Sequence, residues 1–139
     1  MKYKNPCVTA DLIIENNNNE ILLILRGKEP FKGMYALPGG HLNYGLETVE
    51  SAGVRELKEE TGLISKIGDL EILGVYSNPN RDPRGHYVTV AYIVKKYSGI
   101  LEAADDADDA VFFSIDNLPP LAFDHKNIIG DYKKWKIRK

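Results

Sequence analysis

Glu56, Glu59 and Glu60 stand at positions i, i+3 and i+4 of a stretch with helical character. At 3.6 residues per turn the three fall within an arc of about 100° and face one side. Carboxylates this close repel, and a like-charged i,i+4 pair weakens a helix by about 0.2–0.5 kcal/mol. A hard divalent cation, which prefers oxygen ligands, would offset that repulsion. The plain alternative is a solvent-facing acidic face with Lys58 pairing locally. The metal reading is favoured by what lies upstream: Gly39-Gly40 permit positive φ and close backbone approach, so a carbonyl there, such as that of Gly40, can complete a coordination set. Arg55 is placed to pair with a carboxylate in the loop before the helix, Glu47 being the best candidate.

These residues need a frame. Thr48 to Thr61 predicts a helix, with Thr48 as N-cap, Glu50 in the first turn and Gly62 just past the end. Val49, Ala52 and Gly53 lie on the glutamate side, where small residues admit other backbone, and Val54, Leu57 and Thr61 form a stripe for the core. Cys7–Ile14 and Ile21–Leu25 are β-prone runs around Asn16–Asn19 and predict a hairpin. Strands are expected at Ile67–Tyr76, Tyr87–Val94 and Val111–Ile115, with the acidic run Asp105–Asp109 read as a solvated loop before the last of them. Asp124–Trp135 predicts a closing helix. No repeat or long linker divides residues 1–139, so a single α+β or mixed α/β domain is expected.

Composition excludes several classes. Eighteen Lys+Arg against twenty Asp+Glu leave a net charge of −2, which argues against a nucleic-acid binder. The single cysteine, Cys7, cannot form an intrachain disulfide, and no Cys/His cluster suggests zinc. No apolar run approaches a membrane span and no secretory leader is evident, so a cytoplasmic location without membrane or nucleic-acid partners is expected.

Glu47, seven residues, then Arg55-Glu56-Leu57-x-Glu59-Glu60-x-Gly62-Leu63 resembles the signature of the Nudix hydrolases. That signature runs Gly, five residues, Glu, seven residues, Arg-Glu-apolar-x-Glu-Glu-x-Gly-apolar. The chain departs from it once: six residues separate Gly40 from Glu47, because Leu46 is inserted after Gly45. The resemblance implies a mixed β-sheet sandwiched between helices (an α/β/α sandwich), and hydrolysis of a nucleoside diphosphate linked to another moiety. It implies Mg²⁺, with Mn²⁺ as an alternative, held by Glu56 and Glu60 as principal ligands. Glu59 would be a ligand or an outer base, and Arg55 with Glu47 an orienting pair. Because the family also draws its base from later acidic loops, Asp105 and Asp106 are candidates for that role.

The approach to the box, Glu29 to Gly40, and the segments Gly74–His86 and Leu121–His125 resemble ADP-ribose pyrophosphatase-like members. This favours ADP-ribose, cleaved to AMP and ribose 5-phosphate, over oxidised nucleoside triphosphates, NADH or other nucleotide sugars. A homodimer, common among such relatives, is compatible with it. A non-catalytic ADP-ribose sensor is the rival from another class; the complete set of box carboxylates and the short stretch after the domain argue against it. Arg81, Arg84 and Arg26 are candidates to grip a diphosphate bidentately, the alternative for the first two being a plain β-turn at Asp82-Pro83-Arg84-Gly85 with solvated ends. His86 is a further anion donor, with capping of the next strand as its plainer reading. His41, after the glycine pair, faces either substrate or solvent, and His125 is expected to be structural or to lie at an interface. Tyr35, Tyr76 and Phe123 are candidates to stack on adenine, against the commoner fate of core packing.

Overall fold

Residues 3–102 and 107–138 are described by the structure, a computed structural model. Its centre is strand β1 (Cys7–Ile13), whose apolar residues are buried on both faces. Ala10 and Leu12 face one core cluster, with Leu22 and Leu57; Ile13 faces the other, with Ile21, Leu23, Ile128 and Ile129. A strand buried on both sides must lie inside a layered fold, and β1 takes partners on both edges. It runs parallel to β6 (Tyr87–Val94) and antiparallel to β4 (Gly39–His41). With β5 (Leu70–Tyr76) on the far side of β6, the order of this sheet is β4-β1-β6-β5. A second, antiparallel sheet has the order β3-β2-β7, from Tyr35–Ala36, Glu20–Arg26 and Ala107–Ser114.

Helix α1 (Val49–Thr61) packs on β1 and β4, and α2 (His125–Ile137) closes the opposite core. The expected sandwich of sheet between helices is therefore present, with the strands divided between two sheets. The predicted hairpin is not. Asn16 Oδ1 accepts from the Asn18 and Glu20 amides and tightens the turn, and an isolated bridge joins Glu15 to Ile21. Beyond it the strands part, because both edges of β1 are already taken by β4 and β6.

Helix α1 begins and ends where its capping residues predict. Thr48 Oγ1 accepts from the Ser51 amide, and Gly62 adopts φ +76° while its amide returns to the Lys58 carbonyl. Gly53 admits β1, since a Cβ there would lie 3.1 Å from Leu12 Cδ2. Two boundaries differ. A 3₁₀ turn occupies Ile67–Asp69 before β5, and β7 starts at Ala107, so Asp109 belongs to a strand, opposite Leu25. Among the described residues no helix is long and apolar enough to cross a membrane.

Candidate active site

The pairing of β4 with β1 brings Gly40 opposite Ala10 and Gly39 opposite Asp11, at the exposed edge of α1's glutamate face. Glu60 Oε1 accepts the Gly39 amide at 2.8 Å. A Cβ on Gly40 would lie 2.5 Å from Glu56 Cδ and 2.6 Å from its Oε2, so the missing side chain is the space that the carboxylate fills. Glu60 is buried, and burial pushes its carboxyl well above the usual glutamate range, with Glu56 and Asp11 adding repulsion against the Gly39 hydrogen bond. Burial raises Glu56 as well, against the opposing pull of Arg55. Two carboxylates disfavoured as anions, beside glycine backbone, fit a hard divalent cation by the chemistry of their oxygen donors.

Arg55 organises the rest. Its Nε and Nη2 grip the two oxygens of Glu47 at 3.0 and 2.8 Å, Nη1 reaches Glu56 at 2.7 Å and Glu59 at 3.0 Å, and Nη2 donates to the His41 carbonyl at 2.9 Å. The pairing with Glu47 raises Arg55 and lowers Glu47. The inserted Leu46 bulges outward, 85% exposed, over a turn in which its amide bonds to the Asn43 carbonyl. The Asn43 amide in turn donates to Glu47 at 2.8 Å, so the extra residue leaves the Glu47–Arg55 fork intact. Glu59 stays at the rim, on Arg55. Among the described residues no group of three or more His, Cys, Asp or Glu side chains is placed to hold a metal ion; Glu56 and Glu60, beside the Gly39-Gly40 backbone, are the residues that could contribute to one, with Glu59 at the rim. Arg55→Lys keeps the charge but loses the fork. It is expected to lower kcat by roughly 10- to 100-fold in steady-state assays, with the thermal midpoint nearly unchanged.

The carboxylates open into a cleft of about 240 Å³. Its lining also includes Arg26, Arg84, Tyr87 and Phe123. Arg26 lies over the Phe123 ring at 4.9 Å, and Arg84 sits 4.5 Å from Tyr87 and 5.7 Å from Phe123. Burial and the neighbouring Arg84 lower Arg26, while Asp82 holds Arg84 by a two-oxygen contact and raises it. Two guanidinium groups against one ring present positive charge to the space above the glutamates.

Other sequence candidates are engaged by partners within the fold, inside the cleft or outside it. Arg81 is buried, not at a solvated turn: Nε and Nη2 clasp Asp124 at 3.0 and 2.6 Å, and Nη2 lies 4.0 Å from Asp11. It lines the floor of the cleft as half of an ion pair. His86 lies outside the cleft lining and donates from Nε2 to the Ser77 carbonyl at 2.9 Å, tying down the loop between β5 and β6. Tyr35 is also outside it, edge-on to Phe113 at 4.8 Å in the core. Tyr76 donates to Asp131 on α2. His41 lines the cleft, 3.2 Å from the Tyr87 hydroxyl, its pKa lowered by burial and by Arg84. Asp105 and Asp106 lie outside the described residues. Asp11, buried with its carboxylate on the Thr89 hydroxyl at 2.7 Å, is a polar member of the cleft that sequence reasoning missed. Its signal was a lone charge in the otherwise apolar run Ala10–Ile14.

Residues 5–132 match the NUDIX domain family. The chain belongs to the Nudix family. It is 57% identical over 134 residues to an ADP-ribose pyrophosphatase of Methanocaldococcus jannaschii, covering 96% of this chain and 77% of that protein. Among solved structures, a MutT/nudix family protein from Enterococcus faecalis superposes with a TM-score of 0.85 at 31% identity, over 100% of this chain and 65% of that one. The NUDIX domain of Shewanella oneidensis NrtR, solved in complex with ADP ribose, gives 0.84 at 27% identity, over 95% of this chain and 89% of that one. The Nudix box thus coincides with the α1 face and the loop that carry the carboxylates.

Proposed function

We propose that this chain is a divalent-metal-dependent pyrophosphohydrolase that cleaves ADP-ribose to AMP and ribose 5-phosphate. The observation that carries the reading is the packing of the Glu56 and Glu60 carboxylates against the Gly39-Gly40 backbone, in a cleft also lined by Arg26 and Arg84. The 57% identity to an ADP-ribose pyrophosphatase over 96% of the chain supports the choice of substrate.

Glu56 and Glu60 would hold Mg²⁺ or Mn²⁺, beside the Gly40 backbone. Bound there, the metal supplies charge neutralisation for the diphosphate and an acidified water. The chain's own residues do the remaining work. Arg55, fixed by Glu47, keeps Glu56 from swinging away from Gly40. Arg26, whose Nε is held by the Pro30 carbonyl, and Arg84, whose Nε and Nη2 are held by Asp82, would offer their remaining N–H donors to the diphosphate oxygens. Phe123 offers both arginines a flat aromatic backing.

A substrate panel tests this reading, with ADP-ribose, nucleotide sugars, NADH and oxidised dGTP assayed with Mg²⁺ and with Mn²⁺. Monoester products are detected by phosphatase-coupled phosphate release. We expect ADP-ribose to show the highest kcat/KM, by about tenfold or more over any other member. Turnover of none would overturn the enzyme reading, and stoichiometric ADP-ribose binding without turnover would establish a sensor instead. A higher kcat/KM for another compound would overturn the substrate assignment.

A further inference from the structure

A buried polar chain that the proposed reaction does not use directly runs through the cleft lining, which includes both Asp11 and His125. His125, the first residue of α2, is 3% exposed. Its Nδ1 accepts the Leu37 amide at 2.9 Å, which leaves the ring proton on Nε2, and Nε2 lies 3.5 Å from Asp11 Oδ2. The same Asp11 oxygen accepts from Thr89 at 2.7 Å. Gly39, two residues beyond Leu37, rests directly on Asp11: a Cβ there would lie 2.8 Å from Asp11 Oδ1. The Gly39 amide is the group that holds Glu60.

We propose that His125, braced by Asp11, is a positioning residue that holds the backbone at Leu37 and thereby the Gly39 amide that places Glu60. The start of the C-terminal helix then sets the location of a metal-binding carboxylate 65 positions upstream. The physical reason is local. Leu37-Pro38-Gly39 offers few backbone donors of its own, since Pro38 has no amide hydrogen. The Leu37 amide would be buried and unpaired without the imidazole, a loss that a backbone shift would relieve. Such a shift moves Gly39, and a displacement of order 1 Å at a catalytic group lowers turnover by about 100-fold. The ion pair of Arg81 with Asp124 fixes the residue just before His125, so the helix start is itself anchored.

The inference rests on the proposed function only in calling Glu60 a metal ligand. Its test compares three variants of the full chain that differ in which bond they keep. Asn places its Oδ1 where Nδ1 stands, so His125→Asn keeps the acceptor for Leu37. His125→Gln keeps an N–H towards Asp11 and loses that acceptor, and His125→Leu loses both. With ADP-ribose and Mg²⁺, kcat is expected to fall roughly 10- to 100-fold in the Gln and Leu variants and by less than about threefold in the Asn variant, with KM within about twofold throughout. Mn²⁺ affinity, measured by titration without substrate, should weaken about tenfold in the same two variants and not in the Asn variant. Equal losses in the Asn and Gln variants, or a raised KM with kcat unchanged, would overturn the proposal, the latter marking His125 as a substrate contact. Hydrogen exchange gives a readout independent of metal. The Leu37 and Gly39 amides should be protected in the unmodified protein and in the Asn variant, and exposed in the others. Unchanged protection in the Gln variant would overturn the positioning role. Absence of Mn²⁺ binding to the unmodified protein would refute the proposed function and leave the exchange result to decide this one.

Discussion

Glu60→Gln is expected to lower kcat for ADP-ribose by about 10³-fold, equivalent to about 4 kcal/mol of transition-state stabilisation, while preserving the fold. Gln matches Glu in shape and keeps an acceptor for the Gly39 amide, so the loss isolates the charge. The same substitution should act on stability with the opposite sign. Because burial raises Glu60 above its ordinary 4.5, its contribution to stability is full below that value and is lost as pH climbs through the higher folded value. In EDTA at pH 8 the Gln variant should therefore melt at or above the unmodified protein, and the gap should close towards pH 4. Calorimetric melts across that pH range check the sign, and a Gln variant that melts lower at pH 8 would show that the carboxylate is stabilised where it sits. Near-normal kcat would mean that the ligand is misassigned.

Gly40→Ala should separate site from scaffold. The new Cβ falls 2.5–2.9 Å from three atoms of the Glu56 carboxyl group. A side-chain end can swing away, so the chain still folds, but Glu56 leaves the proposed metal site. The expected result is a loss of about 100-fold in kcat with a destabilisation of only about 1–2 kcal/mol. Gly39→Ala contrasts with it one residue earlier. There the Cβ runs into the backbone carbonyl oxygen of Ala10, at φ +156°, and no flexible group can yield. That variant should lose about 3 kcal/mol or more and express poorly. Urea melts of the two proteins measure the contrast directly, and equal stability in both would contradict the register of β4 on β1.

What could be read in the sequence follows from how far each residue's partners lie along the chain. Helix α1 was legible because its signals are local: the i, i+3, i+4 glutamates, Thr48 before it and Gly62 after it. The Arg55–Glu47 fork, eight positions apart, was legible for the same reason. The partition of β1 and β2 into separate sheets was not, since turn chemistry at Asn16–Asn19 is silent on which strand fills the other edge of β1. Arg81 read as either a diphosphate contact or a solvated turn residue because its partner Asp124 is 43 positions away. His125 and Leu37 are 88 apart, and Asp11 and Thr89 are 78 apart, so the polar floor of the cleft exists only once β1 lies beside β6 and α2 has docked. Tyr35 read as a stacking candidate because an aromatic before a glycine-rich loop has no local mark that separates a core ring from a ligand platform. Its neighbour Phe113 decides that in the fold.

Hydrolysis of the ADP-ribose diphosphate by this Nudix chain, with a divalent metal held at Glu56 and Glu60, is the reaction proposed. Phosphorus NMR of ADP-ribose incubated with the protein tests it most directly. With Mg²⁺ the diphosphate signals should give way to two monoester signals, those of AMP and ribose 5-phosphate, and EDTA or Glu60→Gln should suppress the change. Persistence of the diphosphate in the presence of Mg²⁺ and Mn²⁺, or equal conversion in EDTA, would contradict the account.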